Sequence, residues 1–235
     1  MARAVSTTSK RDLRRYESAL TLRGFSPVVG VDEAGRGACA GPLVVAAVVL
    51  GDDLTEVNDS KALTPRRREA LFDTIMSRAS AVSVVVVEPA EVDELGVHHA
   101  DLEGMRRAIA RLAVVPQYAL TDGYPIKGLP IPSLAVWKGD QVCASVAAAS
   151  IIAKVTRDRI MCELDQQFPE YGFAAHKGYV TAAHRQALIE HGPKTVHRYS
   201  FAPVISAAHL HGSKISSTVK SSSARGASAK DKVRT

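Results

Sequence analysis

Cysteine, aromatic side chains and long apolar runs are all scarce in this chain. The only cysteines are Cys39, Cys143 and Cys162, an odd number with no C-x-x-C spacing. That excludes a disulfide framework, argues against a zinc site, and suits a reducing cytosol. No apolar run approaches the length of a membrane-spanning helix. No apolar targeting segment opens the chain, so a cytoplasmic protein without membrane contact is expected. Aromatics amount to 5% of residues, while the apolar share of 46% is ordinary and 235 residues suffice for one domain with a real core. Negative charge is nearly missing from both ends. Residues 1–15 hold five Arg and Lys against Asp12, and residues 205–235 hold four Lys and two Arg against Asp231, so the formal charge of +6 is owed to the ends and the body between them is net negative, at −3. Basic ends favour a polyanionic partner in a salt-dependent way, or serve only to keep the chain soluble.

What is present in abundance is valine, and it frames one segment. Val28-Val29-Gly30-Val31 leads into Asp32-Glu33, then into Ala34-Gly35-Arg36-Gly37-Ala38-Cys39-Ala40-Gly41-Pro42, then back into Leu43-Val44-Val45-Ala46-Ala47-Val48-Val49-Leu50. Val-rich runs bounded by Gly and Pro read as buried strands, so two adjacent carboxylates sit where a buried strand ends. That is costly unless a cation compensates them. Gly35-Arg36-Gly37-Ala38-Cys39-Ala40 also fits the G-x-G-x-x-A dinucleotide fingerprint. That fingerprint needs a following helix to carry pyrophosphate. A strand follows here instead, and the acid pair would repel pyrophosphate. A loop carrying paired carboxylates suits a divalent metal better.

Along the chain, Leu13, Tyr16 and Leu20 give a short surface helix over 9–23, after an unstructured start at 1–8. Strands are expected at 27–34 and 42–50, with Asp52-Asp53 as turn formers. Thr64-Pro65 reads as an N-cap with Pro at the first helical position, opening a helix to about Arg78. Ser83–Glu88 is a third strand, which makes an antiparallel meander with the first two. A short helical turn at 90–95 and a helix at 99–113 follow. The adjacent His98-His99 diverge around the helix and read as surface residues. Tyr118–Gly123 is a fourth strand ending at Asp122, and Leu134–Trp137 a fifth. Asp140 stands at the start of a long helix running to about Leu164. The Ala/Ser-rich opening of that helix lets it approach the sheet closely. A loop at 168–178, a helix at 181–191 ended by Gly192-Pro193, and an irregular 194–204 complete the folded part. From Ile205 a Ser/Ala/Lys-rich tail lacks the apolar content to fold alone. The order predicts an α/β architecture: a mixed five-stranded sheet flanked by helices, with a helical C-terminal part. Three segments are expected, an arm with a short helix at 1–26, a catalytic domain at 27–204 and a basic tail at 205–235.

Asp32, Glu33, Asp122 and Asp140 each lie at a strand end or just before a helix. If the first and fourth strands are parallel neighbours, Asp32 and Asp122 converge, and Asp140 could reach the same place. Four carboxylates in one place do not all stay ionised unaided. A divalent cation resolves this, and an all-oxygen set favours Mg²⁺ or Mn²⁺. Taken singly, each acid could equally be a turn former or helix cap. Ser145, Ser150 and the histidines form no nucleophile–base pattern.

Asp32-Glu33-Ala34-Gly35-Arg36-Gly37 with Gly41-Pro42 resembles the opening motif of the ribonuclease HII family. The resemblance continues in Asn58-Asp59-Ser60-Lys61, Thr121-Asp122-Gly123, Lys138-Gly139-Asp140 and Ala147 through Asp158. It closes with Tyr171-Gly172-Phe173, His176-Lys177-Gly178-Tyr179 and His197-Arg198, covering about residues 27–203. It implies a ribonuclease H-like fold and a metal-dependent endoribonuclease. Such an enzyme cuts the RNA strand of RNA–DNA hybrids and cuts 5′ of single ribonucleotides embedded in duplex DNA, leaving 3′-hydroxyl and 5′-phosphate ends. By motif, Asp32, Glu33, Asp122 and Asp140 would be catalytic acids holding two divalent ions. Gly35, Arg36 and Gly37 would sense the ribose 2′-hydroxyl, and Tyr179 would pack against the sugar at the junction. Asp158 matches a family position and reads as supporting. Val180 departs from the pattern, in which a small residue follows the tyrosine.

The residue chemistry agrees with that implication. A 2′-hydroxyl distinguishes RNA from DNA at one site, and bare glycine backbone can approach it. Lys61 and Lys177 are candidate phosphate contacts, or plain surface lysines. A monomer acting on hybrid or ribonucleotide-containing duplexes is expected. The alternatives are a type III ribonuclease H, which prefers continuous hybrids, and a non-catalytic nucleic-acid-binding protein. The type III enzyme usually carries an extra N-terminal domain, for which the residues before the first strand are too few.

Overall fold

The computed structural model describes residues 12–51, 54 and 64–212. The chain start, Asp52-Asp53, the Asn58–Lys61 motif and residues 213–235 lie outside the described residues.

Helix α1 (Arg15–Thr21) precedes an antiparallel pair, β1 (Val28–Ala34) and β2 (Leu43–Val49). Helix α2 (Pro65–Arg78) starts where expected: Pro65 is at the first position and Thr64 Oγ1 accepts from the Arg67 N–H. β3 (Ala81–Val87) closes the meander on β2. Helices α3 (Pro89–Leu95) and α4 (Val97–Ala110) lead to β4 (Tyr118–Asp122), which pairs parallel with β1. β5 (Ser133–Val136) then pairs parallel with β4, giving the order β3-β2-β1-β4-β5. The mixed five-stranded sheet is the one the sequence predicts.

β2 is buried along its whole length, and its two faces serve different cores. Leu43, Val45, Ala47 and Val49 pack with Val29, Val31 and α4 residues Met105, Ala108 and Ile109. Val44, Ala46 and Val48 pack with Leu71 and Ile75 of α2 and with Ala147–Ala149, Ile151 and Ile152 of the long helix α5 (Ala144–Gln167). The period-two split of one apolar run into two cores is what a central strand covered on both sides requires.

The Ala/Ser face of α5 brings its backbone onto β1. A Cβ on Gly30 would lie 2.1 Å from the Ser145 carbonyl carbon and 2.3 Å from the Val146 nitrogen. Only glycine permits that approach. Glu17 of α1 closes the other side of this junction, its carboxylate accepting from both the N–H (2.8 Å) and hydroxyl (2.6 Å) of Ser145. An anion at a helix N-terminus meets unpaired N–H groups and the positive end of the dipole. α1 is thus a cap for the central helix as well as a surface element.

Three expectations are corrected. Asp140 does not open the long helix: it lies in a separate 3₁₀ turn, Gly139–Gln141, and α5 begins at Ala144. The expected loop at 168–178 contains a 3₁₀ turn, Pro169–Tyr171, and a short helix α6 (Phe173–His176). After α7 (Ala182–His191), a helix α8 (Ala202–Leu210) crosses the point where the tail was expected to start. Pro203 occupies its first turn, and Val204, Ala207 and Ala208 are buried against Leu188, Phe173 and Met161 in a third core. Tertiary burial made a helix of a stretch too short and plain to declare itself. No described helix is long and apolar enough to cross a membrane.

Gly30→Ala should destabilise the protein by about 3 kcal/mol or more, because the new methyl meets helix backbone that cannot move without displacing α5. Urea unfolding of the variant checks this; a loss under 1 kcal/mol would mean that the helix is free to shift.

Candidate active site

The parallel pairing of β1 and β4 matches Val31 with Thr121. One residue further, Asp32 and Asp122 emerge at the same end of adjacent strands. Asp32 is 4% exposed; its Oδ1 accepts from the Glu33 N–H at 2.8 Å, and the Ser150 hydroxyl of α5 bonds the same carboxylate. Asp122 Oδ1 accepts from the Gly139 N–H at 2.7 Å. That bond anchors the 3₁₀ turn at the acid corner, and the next residue, Asp140, is wholly buried.

The corner is electrostatically loaded. Burial raises the Asp32 pKa well above the usual carboxylate range, with the charges of Glu33 and then Asp122 adding to it. Burial also raises the Glu33 pKa, Arg36 opposes the rise, and Asp122 reinforces it. Three carboxylates so placed form an oxygen-only donor set suited to a hard divalent cation. Among the described residues no three acidic, histidine or cysteine side chains stand close enough together to hold a metal ion as placed. The acids therefore form an open corner, with Asp140 joined to it through the backbone of Gly139. The donor chemistry fits Mg²⁺ or Mn²⁺.

Beside the corner lies a groove of about 260 Å³ lined by Glu33, Ala34, Gly35, Arg36, Gly37, Arg68, Ser150, Lys154 and Tyr179. Its floor is the loop after β1, and two buried arginines hold that loop. Arg157 of α5 donates to the carbonyls of Pro42 (2.9 Å), Ala40 (3.1 Å) and Lys177 (2.9 Å). Arg198 donates to the carbonyls of Gly41 and Arg36, each at 3.1 Å. Burial lowers the pKa of Arg157, and brings that of Arg198 down to about 10 with the nearby Arg157 charge adding. Charged groups are seldom buried without such partners. Gly35 has φ +88°, and a Cβ there would sit 1.8 Å from Arg157 Nε, so the loop lies directly on the guanidinium. A Cβ on Gly37 would reach only the Tyr179 ring, at 3.9 Å, which leaves bare backbone facing that ring.

The Arg36 guanidinium reaches α4 and Tyr124. Its Nε lies 3.5 Å from Asp101 Oδ2 of α4, its Nη2 is 3.4 Å from His98 Nδ1, and its guanidinium lies 4.4 Å from the Tyr124 ring centre. Arg36 lines the groove, and its charge also tethers the loop to α4.

Tyr179 reaches over from the C-terminal helices. The His184 ring, 3.0 Å from the Tyr179 carbonyl, also meets His197 at 3.2 Å. Burial holds both imidazoles neutral, with pKa values of about 4 and about 3. Both pack on Phe173, and Tyr171 donates to the Gly192 carbonyl. Cys39 N–H donates to the Gly178 carbonyl at 3.0 Å, stitching this unit to the loop after β1. Asp93 of α3 accepts from the N–H groups of Tyr199 and Ser200 and so fixes the segment carrying Arg198. Val180 packs into the third core.

The structure thus places Asp32, Glu33, Asp122, Gly35, Arg36, Gly37 and Tyr179 around one corner and groove, with Asp140 at its edge. It does not bring Lys177 there: the amine donates to the Ala174 carbonyl at 2.6 Å and lies 3.3 Å from Cys162 Sγ. Lys61 is outside the described residues. Asp158 pairs with Lys154 at 2.7 Å, consistent with a supporting place. Four residues had no assigned role in the sequence reading: Ser150, Arg157, Arg198 and Asp101. Burial pushes the Asp101 pKa up to about 8, with Glu33 adding and Arg36 opposing. Arg157 and Arg198 lie inside motifs, and a charged residue in such a run was the available signal. Asp101 carried none.

A family model described as Ribonuclease HII matches residues 29–204. A curated ribonuclease HII from Acidothermus cellulolyticus is 61% identical over 82% of this chain, which spans 64% of that relative's length. One from Saccharopolyspora erythraea is 57% identical over 87% of this chain and 92% of its own. Among solved structures, the ribonuclease H2 of Pyrococcus horikoshii is similar, with a TM-score of 0.68 at 30% identity over 77% of this chain and 97% of that one.

Asp32→Asn removes one of the repelling charges. In metal-free protein at neutral pH it should raise Tm by about 2–4 °C, the shift that ~1 kcal/mol gives in a domain of this size. A carboxyl whose folded-state pKa is raised costs stability once pH exceeds its unfolded value, and costs nothing when it is protonated in both states. The gain should therefore vanish as pH falls toward 4. Added Mg²⁺ should stabilise the parent more than the variant. Thermal melts across pH, with and without Mg²⁺, check this; a variant less stable at every pH would contradict the repulsion.

Proposed function

The chain belongs to the ribonuclease HII family, has a ribonuclease H-like fold and is a ribonuclease H enzyme, and from this we propose that it hydrolyses the RNA strand of RNA–DNA hybrids and cuts 5′ of single ribonucleotides in duplex DNA. The products carry 3′-hydroxyl and 5′-phosphate ends. The cellular role that follows is removal of ribonucleotides and RNA primers from DNA, in the cytoplasm. One observation carries the reading: a buried corner of mutually repelling acids adjoins a glycine-floored groove closed by a tyrosine.

Asp32, Glu33, Asp122 and Asp140 would hold two divalent ions, Mg²⁺ or Mn²⁺. Such ions, when bound, supply charge compensation and Lewis-acid activation for in-line attack of water on a phosphodiester. The rest falls to the chain's own groups. The backbone of Gly35–Gly37, clamped by Arg157 and Arg198, offers rigid polar atoms to a 2′-hydroxyl. The Tyr179 ring, facing Gly37 across the groove, packs against the sugar and fixes it there. Ser150 orients Asp32, and the Gly139 N–H orients Asp122. Arg68 and Lys154, the latter paired with Asp158, are the basic side chains besides Arg36 that line a groove that must accept a polyanion. Acids, loop and tyrosine come from one chain, which supports action as a monomer.

The test is cleavage of three duplexes (all-DNA, hybrid, and DNA with one ribonucleotide) with Mg²⁺, Mn²⁺ or chelator. The protein should cut the last two and only with metal. Asp32→Asn or Asp122→Asn should lower turnover by roughly 10²–10³-fold or more while duplex binding survives. Tyr179→Ala should cut junction cleavage about ten-fold or more with Tm within about 2 °C of the parent, since its ring is 41% exposed. Full activity in either acid variant would sink the assignment.

A further inference from the structure

Among all the Phe, Tyr and Trp side chains, only Tyr124, Trp137 and Tyr179 are exposed, at 42%, 81% and 41%. Tyr179 lines the groove, and the other two follow strand ends near the acids. Tyr124 follows Asp122 by two residues, Trp137 precedes Asp140 by three, and Tyr179 faces Gly37. Scattered exposed apolar residues need no explanation. An indole 81% exposed, one residue past the strand position paired with Asp122, does need one in a chain with so few aromatics.

Two of the three have partners. Tyr124 lies under the Arg36 guanidinium, and Tyr179 closes the groove. Trp137 has no assigned part. Val136, the last residue of β5, is paired with Asp122 across the parallel ladder. Trp137 comes one residue later, at the same end of the sheet as the acids and on its outer strand. Lys138 follows with φ 53°, and Lys177 is the only other described non-glycine residue in that left-handed region. A non-glycine residue is held there at a cost of order 1 kcal/mol or more, and such residues cluster at functional sites.

We infer that Trp137 is a stacking platform for the nucleic-acid strand where it passes the acid corner, with Lys138 beside it to meet a phosphate; this rests on the proposed function. An indole offers the largest flat apolar face of any side chain. Such faces bind bases and sugars without regard to sequence, as a nuclease selecting by sugar requires. The outer strand would also allow pairing with a second copy, but adjacency to the acid corner favours nucleic acid.

Because the chain holds a single Trp, its fluorescence reports this position alone. The Asp32→Asn full-length protein is titrated with a dye-labelled RNA–DNA hybrid, and dye anisotropy and indole emission are followed together. Indole emission should change in step with anisotropy, with one midpoint. In the otherwise unaltered enzyme, Trp137→Ala should raise the Kd and KM for hybrid about three- to ten-fold with kcat and Tm unchanged, and Trp137→Phe should restore most of the affinity. Hybrid that binds by anisotropy while indole emission stays fixed overturns the inference and leaves the proposed function standing. So does a Trp137→Ala protein that binds as tightly as the parent, or indole emission that depends on protein concentration alone, which would mark a self-association face. No anisotropy change at all would overturn both.

Discussion

Everything at the proposed site depends on the parallel pairing of β1 with β4. The two strands are far apart in the chain, and their register sets Val31 against Thr121. The next residue on each is an aspartate. A slip of one residue would turn Asp32 or Asp122 to the opposite face. The sheet that contains the pair is buried on both sides, with α4 on one face and α2 and α5 on the other. The fold thus spends hydrophobic stabilisation to hold like charges together, a conflict that native proteins tolerate mainly where function needs it.

The second constraint is the bracing of the loop after β1. Arg157 and Arg198 are fully buried, yet they pair mainly with backbone carbonyls rather than with acids. A carboxylate partner would have neutralised their charge; carbonyls leave it in place at the back of the groove. Arg36 extends the bracing to α4 through Asp101 and to Tyr124 through its ring. The loop is thereby held from α5, from the C-terminal helices and from α4, so its glycine backbone is presented as a rigid surface. The neutral His184–His197 pair extends the same rigidity to Tyr179.

Much of this was legible along the chain. Val-rich runs bounded by Gly and Pro marked the strands, and Thr64-Pro65 marked the start of α2. The Ala/Ser run of α5 foretold its close approach to Gly30. Asp32, Glu33 and Asp122 stood out because carboxylates at the ends of buried strands are costly. The helix α8 was not legible, because Ala202–Leu210 shows no charge pattern or cap and becomes helical by docking onto Phe173 and Leu188. Nor was the turn of Asp140, whose place depends on a bond from the Gly139 N–H to a strand far away in sequence. Arg157, Arg198 and Asp101 read as ordinary charges on helices and loops, since local sequence does not reveal that three-dimensional packing will enclose them.

The sequence by itself determined which stretches became strands and central helices, and which residue types could serve hydrolytic chemistry. Those properties follow from periodicity, side-chain branching and the cost of burying charge, all of which are local. Tertiary structure alone decided that Asp32 meets Asp122, that Lys177 points away while Lys154 lines the groove, and that the Arg36 guanidinium tethers the loop to α4. Those outcomes turn on register and on the direction of individual side chains. Asp32 and Asp122 are 90 residues apart and Arg36 and Asp101 are 65 apart, so their meeting is set by packing that no short window along the chain contains.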